Sequence, residues 1–279
     1  MDRTPRSPTG GRRRAPPRRS RLLVLLGLAA LALGGWVVFH ALTRESATPA
    51  SVAAAIRRFA ALPASARTLP PALRGRAPVP GVYVYGSRGF EVSHVLGTRR
   101  HRYPPRTTIT VTATPAGCLR TRWDVLATRH DALLACPRAD GGWRLVSESE
   151  EHEFAGHVDR RTYACAPGST WLPARLAPGA RWTSRCAIEQ TTTVDAGTVI
   201  GPRAISLGGR RTRALLLRTI TRVEGETVGV GTTFSWVLPD TRLVVRRTLA
   251  NASTTDTLVG DVRYEERATL ALASPRPRR

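Results

Sequence analysis

Hydrophobic and polar positions follow three regimes along the chain. Leu22 to Leu42, LLVLLGLAALALGGWVVFHAL, is an apolar run without a charge and with a single ionisable residue, His40. As a helix rising ~1.5 Å per residue it reaches ~30 Å, the thickness of a bilayer's hydrocarbon core. Next, Val52, Ile56, Phe59 and Ala60 fall at i, i+4, i+7 and i+8, one face of a short helix with Thr48 as cap and Pro49 at its first position. Pro63, Pro70, Pro71, Pro78 and Pro80 then mark a semi-rigid extended spacer.

From Gly81 onward the punctuation is β. Runs rich in Val, Thr, Leu, Tyr and Trp recur between Gly, Pro, Asp and Asn turns. The pattern predicts strands near 81–86, 90–96, 106–114, 119–127, 131–136, 142–149, 158–165, 181–190, 193–206, 212–223, 226–238, 242–250 and 257–272. Turns at Gly208-Gly209, Glu224-Gly225, Pro239-Asp240 and Asn251 to Thr255 join the last five into an up-and-down meander. Long twisted strands curl, so the expected fold is mainly β: one N-terminal transmembrane helix, then a strongly bent antiparallel sheet or incomplete barrel. Thr233, Ser235 and Val237 alternate with Phe234, Trp236 and Leu238, and the apolar face of that strand needs a cover.

These regimes divide the chain into a disordered basic cytoplasmic tail (1–21), a transmembrane helix (22–42), a juxtamembrane helix and Pro-rich linker (43–80), an extracytoplasmic β domain (81–274) and a disordered tail (275–279). The apolar run exceeds the ~7 to 15 residues of a signal-peptide core, and no clean small-x-small site closes it, so an uncleaved anchor is expected. Residues 1–21 hold eight Arg against Asp2, and beyond the span Arg44 is offset by Glu45. The positive-inside rule then leaves the amino terminus in the cytoplasm and the β domain outside.

Charge adds a second theme. The formal net charge is +23, and all 43 basic residues are Arg. Beyond the tail these arginines are scattered at strand-like spacing, which suits either a solvated basic surface or a face for an anionic envelope polymer. Nucleic acid is not expected as a partner on the outer side.

Cys118, Cys136, Cys165 and Cys186 agree with that side, being even in number, outside any CxxC, and beyond the membrane where disulfides form. Pairings 118–136, across a hairpin, and 165–186, across a Pro/Gly-rich loop, are favoured. Spacings of this kind match no common zinc pattern, and no metal or cofactor is expected.

Catalytic signals are absent. His152-Glu153-Phe154-Ala155-Gly156-His157 misses the zincin motif, which needs its histidines at i and i+4 on a helix. Glu148, Glu150, Glu151 and Glu153 gather acids in a basic domain, suited to neutralising nearby Arg. There is no GxSxG, SxxK, P-loop or dinucleotide fingerprint, so no catalytic residue is assigned and the chain is not expected to be an enzyme. Trp123, Trp143, Phe234, Trp236 and Tyr264 are the candidate ligand-lining residues, with core packing as their alternative role.

The stretch GTTFSWVLPDTRLVVRRTLAN, followed by DVRYEERATLALAS, resembles exported, membrane-anchored actinobacterial proteins of unknown function. Its Trp-x-x-Pro-Asp-Thr turn is similar to one in curved-sheet envelope lipoproteins and lipoprotein carriers. That resemblance implies a bent sheet around an apolar cavity and assigns no binding residue. The expected function is a membrane-anchored envelope binding domain for a lipid or other apolar ligand, or else an interaction module for anionic envelope polymers or another envelope protein.

Overall fold

A computed structural model of the protein describes residues 48–94, 98–154, 157–257 and 260–279, which belong to one compact unit running from Ser46 to Arg279. The expected transmembrane helix and basic tail lie outside the described residues. Among the described residues, no helix is long and apolar enough to cross a membrane.

Helix α1 (Val52–Ala60) and a single turn, α2 (Ala64–Arg67), precede the strands. The first half of the chain contributes β1 (Gly81–His94), β2 (Thr98–Arg102), β3 (Arg106–Ala113), β4 (Leu119–Leu126), β5 (Arg129–Pro137), β6 (Trp143–Phe154) and β7 (His157–Cys165). The second half contributes β8 (Thr170–Leu172), β9 (Arg181–Ile188), β10 (Thr191–Leu207), β11 (Arg210–Gly225), β12 (Thr227–Val237), β13 (Val244–Thr255) and β14 (Val262–Leu272).

All but β2 and β8 form one closed antiparallel ring of twelve strands, in which β14 pairs with β1 over Tyr85 to His94. The expected open sheet is thus a complete barrel, because the two ends of the β region supply the last seam. β1 is one strand where two were expected, and it changes neighbour along its length. Gly81 to Gly86 pair with β3, whereas Phe90 to His94 pair with β2. Gly89 sits at the changeover, where an added Cβ would lie 2.2 Å from the Arg267 carbonyl oxygen.

Other departures from the sequence reading share a cause, the pull of the closed barrel on its neighbours. Asn251 to Thr255, read as a turn, extend β13, because Asn251, Ser253 and Thr255 line a polar interior opposite Gly231, Gly229 and Thr227. The Pro-rich stretch is no free spacer, since Leu69, Leu73 and Ala77 are buried in the main core. The C-terminal tail is tied back through reciprocal hydrogen bonds between Arg278 and Val82, of 2.8 and 2.9 Å. Ser51, rather than Thr48, caps α1, accepting from the Ala54 amide at 3.3 Å.

Helix α1 covers part of the outer wall. Ala55 and Phe59 bury Val82, which faces outward from β1. Beside them the strand register lines up Thr108, Asp124 and His130. Asp124 is fully buried there, accepting from Arg58 at 2.6 Å, Arg122 at 2.9 Å and Thr108 at 3.1 Å, with His130 Nδ1 3.0 Å away. Burial alone would raise its carboxyl, but hydrogen bonds from His130 and Arg122 and the Arg58 charge outweigh it and hold the group at about 2.

The two expected disulfides are present, Cys118–Cys136 between β5 and the entry to β4, and Cys165–Cys186 between directly paired residues of β7 and β9. The meander of β10 to β14 is as the pattern predicts, with its last turn displaced toward Gly260.

Candidate functional site

The barrel interior has two tiers. At one end Tyr83, Tyr85, Val111, Leu119, Trp143, Val199, Leu215, Val237, Val245, Leu270 and Leu272 pack together with Leu69, Leu73 and Leu243 into an apolar floor. Trp123 and Trp143, two of the candidate ligand-lining residues, are 6% and 3% exposed and belong to this packed core. Chain side groups fill the space that an acyl chain would need.

Toward the other end the inward positions turn polar. Thr219, Thr221, Thr233, Ser235, Asn251 and Ser253 face inward yet remain partly exposed, and the inward-facing Glu150 is exposed. Eight strands enclose a space that side chains just fill, and twelve enclose a wider one. With such short side chains on its wall, this half forms a polar hollow only in the sense that its inward side chains stay partly accessible to solvent.

One wall of the hollow is knotted around Arg129, which stands at the start of β5 and is 7% exposed. Its guanidinium donates to Glu91, to Tyr264 at 2.5 Å, to Tyr103 at 2.9 Å, and to Asp131 and Glu266 at 3.2 Å each. Tyr103 donates to Glu266 at 2.5 Å, and Asn251 does so at 3.2 Å. Five strands, β1, β2's exit, β5, β13 and β14, meet in this cluster. Burial tends to raise the Glu91 carboxyl, but the Arg129 charge and hydrogen bond, with His101, draw it below its ordinary value.

The adjoining wall on β6 is short of cations. Glu148 and Glu150 on β6 face Asp131 and, across the hollow, Asp195 on β10. Asp131 Oδ1 is buried without a hydrogen bond among the described residues, although its Oδ2 accepts from Arg129, and Arg161 is the register partner of Glu150. Burial, then repulsion from Asp195 and Glu150, pushes the Glu148 carboxyl up to about 8. Enclosure within the barrel, although the Glu150 side chain still meets solvent there, and the nearby Asp131 likewise raise its carboxyl. Asp195 is raised by burial even though Thr221 and Ser184 donate to it at 2.6 and 3.3 Å. Arg247 enters from β13, and its Nε is buried with no hydrogen bond among the described residues. In a chain with 43 basic and 20 acidic residues, the hollow carries the reverse balance: Glu91, Asp131, Glu148, Glu150, Asp195 and Glu266 against Arg129, Arg161 and Arg247.

Of the sequence candidates, only Tyr264 borders the hollow. Phe234 and Trp236 are on the outside of β12, since Thr233, Ser235 and Val237 point in, and Arg246 stacks 5.0 Å from the Trp236 ring centroid. The apolar face of that strand is therefore the outer one. Arg129, Glu91 and Glu266 were unremarked in the sequence, being single charges on separate strands. The run Ser147 to Glu151, SESEE, did signal carboxyls at alternate positions.

Two shallow depressions open on the outside. One, of about 300 Å³, is lined by Arg138, Asp140, Leu172, Arg181 and Trp182, and the other, of about 390 Å³, lies against the β10–β11 hairpin at Ile205 and Arg211. Both are open to solvent. Among the described residues, no three acidic, His or Cys side chains are placed to share a metal ion.

No protein-family model matches the chain. No curated protein matches it. Among solved structures, the hypothetical lipoprotein YmcC from Escherichia coli (K12) is similar over 68% of this chain and 85% of that chain, at 11% sequence identity and a TM-score of 0.32. A likeness that distant carries no argument here.

Proposed function

We propose that the chain is a membrane-anchored, extracytoplasmic binding domain of the cell envelope whose ligand site is the hollow polar half of the barrel. The anchor is Leu22 to Leu42, and the two disulfides support an oxidising compartment for the barrel. The ligand is a polar molecule bearing a positive charge. The observation behind this reading is the excess of carboxyls inside a basic protein: Glu148, Glu150, Asp131 and Asp195 stand against Arg161 and Arg247, with Arg129 shared among Asp131, Glu91 and Glu266.

A lipid held in an apolar cavity, the ligand anticipated from sequence, finds less support. The apolar tier is packed by Trp123, Trp143 and their neighbours, with Trp236 packed against it and Phe234 on the outer face of β12. The protein acts as a binder and not as an enzyme in this reading, in keeping with the lack of a catalytic motif.

The test is calorimetry on the full-length chain in neutral detergent, with putrescine as probe and a neutral diol of equal length as control. Putrescine binding near pH 8 should release protons, because a cation beside Glu148 favours its ionised form. Glu148→Gln with Glu150→Gln should abolish binding without lowering Tm. Equal binding of the diol, or a lipid co-purifying in native mass spectrometry, would overturn the assignment.

A further inference from the structure

The outer wall carries a second pattern, independent of the hollow. In the β9–β10–β11 register, Thr198 is paired with Arg181 on one side and Arg218 on the other, and Val194 with Arg185 and Arg222. Four arginines thereby mark the corners of a rectangle on one outward face. Neighbouring strands are ~4.8 Å apart and residues rise ~3.3 Å along a strand, so its sides are ~10 Å and ~13 Å at the Cα positions. All four are exposed, and none has an ion-pair partner among the described residues.

The rectangle sits beside apolar side chains on the same face. Arg218 is paired with Phe234, and Arg222 with Val230, which is 57% exposed; Val228, farther along β12, is 54% exposed. The middle row holds Thr183, Ala196, Ile220 and Thr232, with no acid among them. Most arginines elsewhere that do form ion pairs, such as Arg58, Arg122 and Arg160, find an acid nearby. Here four guanidiniums are held by one rigid sheet with no acid inside the rectangle; Glu224 lies beyond it, two positions past Arg222 on the same face.

We propose that this face binds a linear polyanion, a polymer carrying phosphodiester or carboxylate groups at regular intervals. Fixed cations on a sheet suffer little ordering cost, and a chain crossing the rectangle releases counterions at each contact. A bilayer is the poorer occupant for two reasons. The barrel wall is convex, so a flat surface meets it along a line, and the largest aromatic nearby, Trp236, is covered by Arg246 instead of standing free. A flexible chain can follow the curve.

The experiment measures binding of full-length protein, in neutral detergent, to linear inorganic polyphosphate across a salt series. The variant is Arg181→Gln with Arg185→Gln, Arg218→Gln and Arg222→Gln. The control removes the same charge elsewhere, at the exposed Arg74, Arg106, Arg120 and Arg210. The rectangle variant should bind at least about ten-fold more weakly at low salt, and its log K against log salt should flatten by roughly three, near 0.7 for each single-strand-like contact. The control should bind like the parent. Equal losses in both variants would mean that net charge alone acts, and would overturn the site. Binding to phosphatidylglycerol vesicles without binding to polyphosphate would overturn it in favour of a membrane face. Because putrescine binding reports on the hollow alone, the two proposals fail separately.

Discussion

Arg129 and Glu266 are 137 residues apart in sequence, yet their side chains meet at 3.2 Å inside the barrel, 8% and 3% exposed. The contact joins β5 to β14 across the interior, and Glu91 and Tyr103 complete it from the seam that closes the ring. Removing one partner of a buried ion pair leaves the other charge uncompensated, which costs about 3–5 kcal/mol. Arg129→Met should therefore lower the denaturation midpoint strongly. Adding Glu91→Gln, Asp131→Asn and Glu266→Gln should recover much of the loss, since none of the carboxylates that Arg129 paired is then left without its cation.

Glu148 should act in the opposite sense. Its carboxyl titrates near 8 in the fold and near 4.3 in the unfolded chain, so the folded form holds the extra proton between those values. Its contribution to stability is thus most favourable in acid and declines as pH rises from about 4 toward 8. Glu148→Gln should raise Tm at pH 8 and leave it nearly unchanged at pH 4. A thermal melt series over that range checks the sign.

Asp124 supplies the acid limb. Held at about 2 in the fold against about 3.9 when unfolded, it contributes stability that is present above pH 4 and lost as pH falls toward 2. The amount is about 2–3 kcal/mol. Asp124→Asn should remove it at neutral pH, and should loosen α1 first, because Arg58 loses its anchor. Hydrogen exchange at residues 52–60 is the direct measure.

Gly197 is pinned by Trp182, which lies inward across it from β9. An added Cβ would fall 2.0 Å from the indole ring. Overpacking of this kind costs about 1–3 kcal/mol. Gly197→Ala should destabilise the barrel, and combining it with Trp182→Leu should relieve part of the strain, as a double-mutant cycle would show.

Local chemistry was enough to read much of this molecule. Period-two alternation marked the strands and the β10–β14 meander, Cys spacing within hairpins indicated both disulfides, and the face of Val52, Ile56 and Phe59 marked α1. Short pieces escaped. β2 is an Arg-rich run, TRRHR, and β8 is three residues inside a Pro/Gly loop, so each is a strand only because a neighbour offers its edge.

What the sequence by itself determined is which residues share a face, since side chains alternate along any strand. Which face is inside was decided only in three dimensions. On β12 the bulky residues Phe234 and Trp236 suggested an interior, yet closure of β14 on β1 turned Thr233 and Ser235 inward. The same closure gathered carboxylates from β1, β5 and β14 around Arg129, while Glu148 and Glu150 share their part of the interior with Asp131 and Asp195. Pairings between residues more than a hundred positions apart, such as Arg129 with Glu266, leave no local trace in composition or periodicity, whereas the arginine rectangle follows from the register of neighbouring hairpins, which periodicity places on one face without fixing it as the outer one.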